Sequence, residues 1–346
     1  MRLPNLAQAG TTMKPGILSL CRPAFRLTSV PMPNASMSHA RAVSLMVFVT
    51  LLWSTAGVIT RHLESARSFE VTFWRSFFTV AALLISLTMM RGTSYLRGFF
   101  RLPRVVWISG AYWSVQFTAF MLAITLTSVA NVLVTMALSP LITALFARFF
   151  LKHKLPTRTW IASLAAGLGI AWMFGKQAAS GTSLVGTLVS LMVPLAAASN
   201  FTTMQHVGHR KRAASDAPTQ DMLPAVLIGA VISVLFTLPL ALPFQASAHD
   251  LQLLSLLGVM QLALPCLLLV YVSRRLPAPE IALLCLLEVI FGVTWAWLGA
   301  GEEPSSSTFI GGTLVLGALI INEYLALRSR QSSSSTAAAA LQPGKP

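Results

Sequence analysis

Two charged residues stand inside otherwise apolar runs: Glu288 in ALLCLLEVIFGVTWAWLGA and Arg75 in VTFWRSFFTVAALLISL. Glu288 lies eleven residues past Pro277 and fourteen before Glu302. At a rise of about 1.5 Å per residue this puts it near the middle of a hydrocarbon core about 30 Å thick. A glutamate stem is too short to reach either surface from there. A charge at that depth costs roughly 2.5–3.5 kcal/mol on insertion scales, so it must be paired, hydrated or protonated. Facing a cavity, it would bind a cationic group or carry a proton; facing a neighbouring helix, it would sit neutral in a hydrogen bond. Arg75 follows Glu70 by five residues, about 7 Å along a helix. A long arginine can snorkel that far to the outer headgroups. Turned inward, it would bind a substrate carboxylate or neutralise Glu288.

Neutral polar residues extend this set. Gln116 and Gln261 fall mid-span, Asn131 in the outer part of one span and Asn200 in the inner part of another. Each is costly against lipid, so each is expected to face protein or a cavity, as a substrate contact or as an interhelical hydrogen bond. Trp53 and Trp113 lie within spans and are candidates for an aromatic wall, whereas Trp107, Trp160 and Trp172 sit at span ends and read as interface anchors. Pro140, at the centre of a span, frees a backbone carbonyl and kinks the helix, a device often found beside transport sites. The spacing from Ser163 to Gly167 reads as small-residue helix packing.

Enzyme and metal chemistry have little to stand on. The six histidines lie outside the spans or at their edges, and His206 and His209 have no acid or cysteine to complete a ligand set. No phosphate-cradling glycine loop is present. No cofactor is implied, and no catalytic residue stands out.

The elements that carry these residues follow from composition. The 346 residues are 55% hydrophobic and 10% charged, against roughly a quarter charged in soluble domains. The net charge of +15 would suggest nucleic acid in a soluble protein. Here the bases sit between apolar runs, so membrane orientation explains them and no nucleic-acid partner is expected. Three cysteines form no CxxC pair or disulfide framework.

Ten spans are expected, at about 42–60, 71–90, 104–124, 127–147, 159–175, 183–205, 222–243, 251–272, 278–299 and 308–327. With the N-terminus inside, 21 Lys and Arg fall on inner segments and three (Arg61, Arg67 and Lys176) on outer loops. That bias places both termini in the cytoplasm. Residues 1–41 read as a basic, disordered tail, with a transit peptide or a start at Met37 as other readings. Residues 328–346 read as a second disordered tail.

The stretch 127–169 overlays 276–318 without a gap, matching Ser139 to Glu288, Pro140 to Val289 and His153 to Glu302. Apolar run, polar hinge and small-residue run recur in that order, which points to two halves, 42–176 and 183–327. Five spans per half would invert the second half.

The run ANVLVTMALSPLITALFARFF, a short hinge and W-I-A-S-L-x-A-G-L-G resemble the EamA-type repeat of the drug/metabolite transporter superfamily. So do ALLCLLEVIFG, the GEEPS hinge and FIGGTLVLGALI in the second half. The resemblance spans about residues 42–327. It implies an all-α integral membrane fold of ten transmembrane helices in two inverted five-helix repeats around a central cavity. It also favours an inward-facing Arg75, on the FWRS pattern. This chain departs from the pattern twice: Lys152–His153 replace the glycine–glutamate pair of the first hinge, and Val289 replaces proline after Glu288.

The expected protein is therefore a multi-pass inner-membrane carrier exporting small metabolites, amino-acid-like compounds or drugs by alternating access. Its partners would be a small-molecule substrate, the bilayer and protons, with Glu288 the coupling site. An uncoupled facilitator and a membrane lipid-handling protein or enzyme are the rival readings.

Overall fold

Apolar sequence becomes helix here because a chain without water must satisfy its backbone groups internally. The computed structural model describes residues 38–93, 95, 98–99, 102–150, 156–179, 184–212, 223–272, 276 and 278–340. The N-terminal segment before Ser38, with its transit-peptide and alternative-start readings, and the hinge at Lys152–His153 lie outside them. Among the described residues there is helix and no strand.

In chain order the helices are α1 (His39–Thr60), α2 (Ser68–Arg91), α3 (Arg104–Leu126), α4 (Val129–Met136), α5 (Ser139–Phe150) and α6 (Thr157–Ala179). They continue with α7 (Val185–Arg212), α8 (Leu223–Ala241), α9 (Ala248–Leu256), a π-helical segment (Leu257–Ala263), α10 (Leu264–Val272), α11 (Ala278–Ala300) and α12 (Ser306–Ala340). Seven helical stretches among the described residues are long and apolar enough to cross a membrane, and 284–300 and 306–322 are shorter apolar helices. The last helix runs as far as Ala340, where a run of alanines carries the highest intrinsic helix propensity.

Two interruptions have sequence causes. Pro140 cannot donate an amide to the Met136 carbonyl, and the helix breaks at Ala137–Leu138 between α4 and α5. Ser139 repairs the loss by donating its hydroxyl to Met136 O at 2.6 Å. Pro265, in turn, leaves the Gln261 carbonyl without its helical donor, and the chain widens there into the π segment. In α11 no proline follows Glu288, and that helix runs unbroken through it.

The halves interlock rather than sit side by side. Extending the repeat offset pairs α1 with α7, α2 with α8, α3 with the α9–α10 stretch, α4–α5 with α11, and α6 with α12. Contacts between halves come back when the partners are exchanged. α1 packs on α11 as α7 packs on α4 and α5, and α3 packs on α7 as α10 packs on α1. Likewise α3 packs on α8 as the π segment packs on α2, while α2–α8, α4–α11 and α6–α12 pair with their own counterparts. Close approach depends on glycine at the α6–α12 crossing. A Cβ on Gly169 would lie 2.7 Å from the Gly311 carbonyl oxygen, and one on Gly311 2.6 Å from that of Gly169. Gly167, expected to pack with Ser163, instead faces open space.

Candidate functional site

Arg75 is buried, 2% exposed, in the first half of α2. Its side chain turns into the protein and does not snorkel. Nε and Nη2 donate to one oxygen, Gln261 Oε1, at 3.1 and 2.9 Å. Gln261 passes the connection on, its amide donating to the Trp53 carbonyl of α1 at 3.2 Å. The guanidinium carbon lies 6.0 Å from the Phe117 ring centre and 5.8 Å from that of Phe120, within cation–π range. Nη1 is buried and donates to nothing. A buried donor without a partner costs about 1–3 kcal/mol, so the arrangement is held in place by the packing around it.

That packing begins at Gly258 in the π segment. A Cβ there would lie 2.6 Å from the Arg75 carbonyl oxygen and 2.6 Å from Phe78 Cβ, so only glycine lets the segment press on α2. Thr79 Oγ1 fastens the contact, donating to the Gly258 carbonyl at 3.0 Å. The π segment thus sets Gln261 opposite Arg75, and Gln261 fixes the plane of the guanidinium.

Glu288 is buried, 8% exposed, on α11. It feels the charge of Arg75 without meeting it in an ion pair, and it makes no hydrogen bond among the described residues. A guanidinium with a spare edge and a carboxylate with spare lone pairs thus share the interior. Of the polar candidates read from sequence, only Gln261 joins Arg75.

The others lie elsewhere. Gln116 makes one long contact, 3.4 Å, to the Tyr112 carbonyl of its own helix. Asn131 accepts from Thr308 Oγ1 at 2.7 Å and so ties α4 to α12. Asn200 accepts from Ser109 at 2.7 Å between α7 and α3. Trp113 packs against Phe117 with the rings tilted and their centres 5.3 Å apart, its indole N–H buried and unpartnered. Trp53 packs in a different apolar cluster, so the two tryptophans do not form one wall. Pro140 sits at the helix break described above, one residue from the Ser139 that repairs it. Among the described residues no cluster of His, Cys, Asp and Glu is placed to hold a metal.

Sequence reasoning missed a second polar system, at one end of the bundle. Glu302 Oε2 accepts from Arg61 Nε at 2.8 Å, and Oε1 accepts the Val129 amide at 2.6 Å, capping α4. Arg61 Nη2 also donates to the Thr127 carbonyl at 2.8 Å. Gly301 aims this carboxylate. At φ +64° it closes α11 with bonds from its own amide to Trp297 O and from the Glu302 amide to Ala296 O, the first being the bond of an αL cap. Nearby, buried Asp250 accepts the amides of Glu64, Ser65 and Ala66 at 2.8–3.0 Å, and buried Glu70 accepts those of Gln245 and Ala246. Each half thus supplies a carboxylate that holds a loop of the other. Beside the GEEPS hinge that holds Gly301 and Glu302, the Ser247–Asp250 capping box is the part of this system with a readable sequence signature.

Helices that satisfy their own backbone, apolar outer faces and two ionisable side chains buried among them define a multi-pass membrane protein. The chain belongs to the EamA-like transporter family, whose model matches it twice, over residues 40–175 and 184–323. It is therefore a membrane transporter of a family that is not enzymatic. One solved crystal structure, which carries no functional name, is 19% identical and covers 84% of this chain and 99% of its own, with a TM-score of 0.55. At that identity the likeness shows the fold alone. The chain has no match among the curated proteins.

Proposed function

We propose that this protein is an exporter of small metabolites, amino-acid-like compounds or drugs, working by alternating access in the inner membrane and coupled to protons. The observation that carries this reading is Glu288, an acid buried within α11 with no hydrogen bond among the described residues and with Arg75 near enough to feel its charge. Such a carboxylate can trade a proton for a substrate group, because both use the same lone pairs. If proton and substrate occupy it in alternation, outward substrate movement and inward proton movement are locked together. No nucleotide-binding motif offers another energy source.

The reading has ten spans, both termini in the cytoplasm, and boundaries between halves near 176 and 183, supported by the Lys and Arg bias of the loops. In that orientation the Arg61–Glu302 pair and the loop amides held by Asp250 and by Glu70 close the outer end. The two halves would rock about the interior site, breaking those contacts as the outer end opens.

The test is export from cells making wild-type protein or Glu288→Gln, scored against amino acids, nucleosides and organic cations with and without a proton uncoupler. The reading expects the wild type to lower accumulation of one class, and expects both the substitution and the uncoupler to abolish that effect. A wild type that exports its substrate unchanged in the presence of uncoupler is a facilitator instead.

A further inference from the structure

We propose that the interior site selects substrates carrying a single carboxylate, and that the carboxylate docks on Nη1 of Arg75. This rests on the transporter reading above and narrows it.

The argument starts from what Arg75 does not do. A guanidinium has five N–H donors. Two of those on Arg75 go to Gln261 Oε1, from Nε and Nη2, while both on Nη1 are buried with no acceptor. Buried donors are nearly always paired, and an exception points to a group that arrives from elsewhere. If Arg75 existed to neutralise Glu288, the two would meet in an ion pair, and they do not. The groups in direct contact with it carry no negative charge: Gln261 is neutral, and Phe117 and Phe120 offer only ring faces. The guanidinium is thus fixed in orientation, by Gln261 and the π segment, with one edge unspent.

Charge sets the class of ligand. Among the described residues Arg75 is the one buried base in the interior. A plain organic cation would meet that positive charge in a low-dielectric setting and be rejected. A dianion such as a phosphate monoester would bring one charge more than Arg75 can balance, with Glu288 repelling the excess. A carboxylate matches on both counts, and the planar fork suits it. An amino group on the same molecule could sit on Glu288 in place of the proton, which keeps the inference compatible with proton exchange.

Binding to the purified full-length protein tests this separately from transport. The probes are three matched sets, built on alanine, phenylalanine and glutamine, each containing the amino acid, its methyl ester and its decarboxylated amine. In any set that binds, the carboxylate member should bind at least tenfold tighter than the ester and the amine. Arg75→Gln should erase that preference, and Arg75→Lys, which keeps charge but loses the fork, should retain part of it. Gln261→Glu, which places an internal carboxylate against the guanidinium and so protects the fold, should also erase it.

An ester or amine that binds as tightly as its parent overturns the inference. So does a preference that survives Arg75→Gln in folded protein, or a panel in which no carboxylate binds. Transport by proteoliposomes separates the two failures: movement of an amine but not its parent acid sinks the carboxylate assignment and leaves the carrier intact.

Discussion

Gln261 Oε1 accepts from both Nε and Nη2 of Arg75, at 3.1 and 2.9 Å, across the boundary between the two halves of the chain. Because the Gln261 amide also holds the Trp53 carbonyl of α1, one side chain joins two helices of the first half to the π segment of the second. Any rocking of one half against the other must carry or break this junction.

Replacing Gln261 with leucine keeps the volume and strips the acceptor. Two hydrogen bonds to a charged group are lost, each contributing roughly 1.5–3 kcal/mol. We expect a stability loss of about 3 kcal/mol in thermal unfolding and at least a tenfold fall in transport. An unchanged melting curve would mean that Arg75 finds another acceptor.

Gly258→Ala should act at the same place by sterics alone. Its Cβ would collide with the Arg75 carbonyl oxygen and Phe78, and overpacking of this kind costs about 1–3 kcal/mol. The π segment should lift from α2 and draw Gln261 away from Arg75, so transport should fall with stability. Gly167→Ala, which meets open space, is the matched control and should leave both unchanged.

Much of this was legible in the sequence, for identifiable reasons. Helical runs declare themselves by length and apolarity, and a charge such as Glu288 or Arg75 is conspicuous among them. Pro140 announced its break. The direction in which each helix faces is not encoded in a run that is apolar all round, so the sequence could not separate Gln261, which meets Arg75, from Gln116, which contacts only its own helix. Nor could it assign Asn131 to Thr308 across the repeat boundary. Glu70 and Asp250 stayed hidden because their partners are backbone amides of distant loops, which leave no mark in side-chain identity.

Glu302→Ala removes both the cap on Val129 and the partner of Arg61. A lost helix cap costs about 0.5–2 kcal/mol. The ion pair adds little, since Arg61 and Glu302 are 29% and 19% exposed and salt screens such pairs. Hydrogen exchange should quicken over 127–131, and a double-mutant cycle with Arg61→Ala should return a coupling below about 1 kcal/mol. A larger coupling would show the pair to be more shielded than its exposure indicates.

Gly301→Ala tests the turn that aims Glu302. Nothing crowds a Cβ there, so the penalty is purely that of a left-handed backbone, about 1–2 kcal/mol. We expect a lower melting temperature and the same faster exchange at 127–131 as in Glu302→Ala. A change in melting temperature without the exchange effect would separate the turn from the cap.

The central claim, that Glu288 couples the carrier to protons, is tested most directly in proteoliposomes preloaded with a transported substrate. Wild-type protein should move that substrate against its gradient when a pH gradient is imposed, and Glu288→Gln should still exchange labelled for unlabelled substrate but ignore the pH gradient. Gradient-driven movement that persists in Glu288→Gln would contradict the account and move the coupling site elsewhere in the chain.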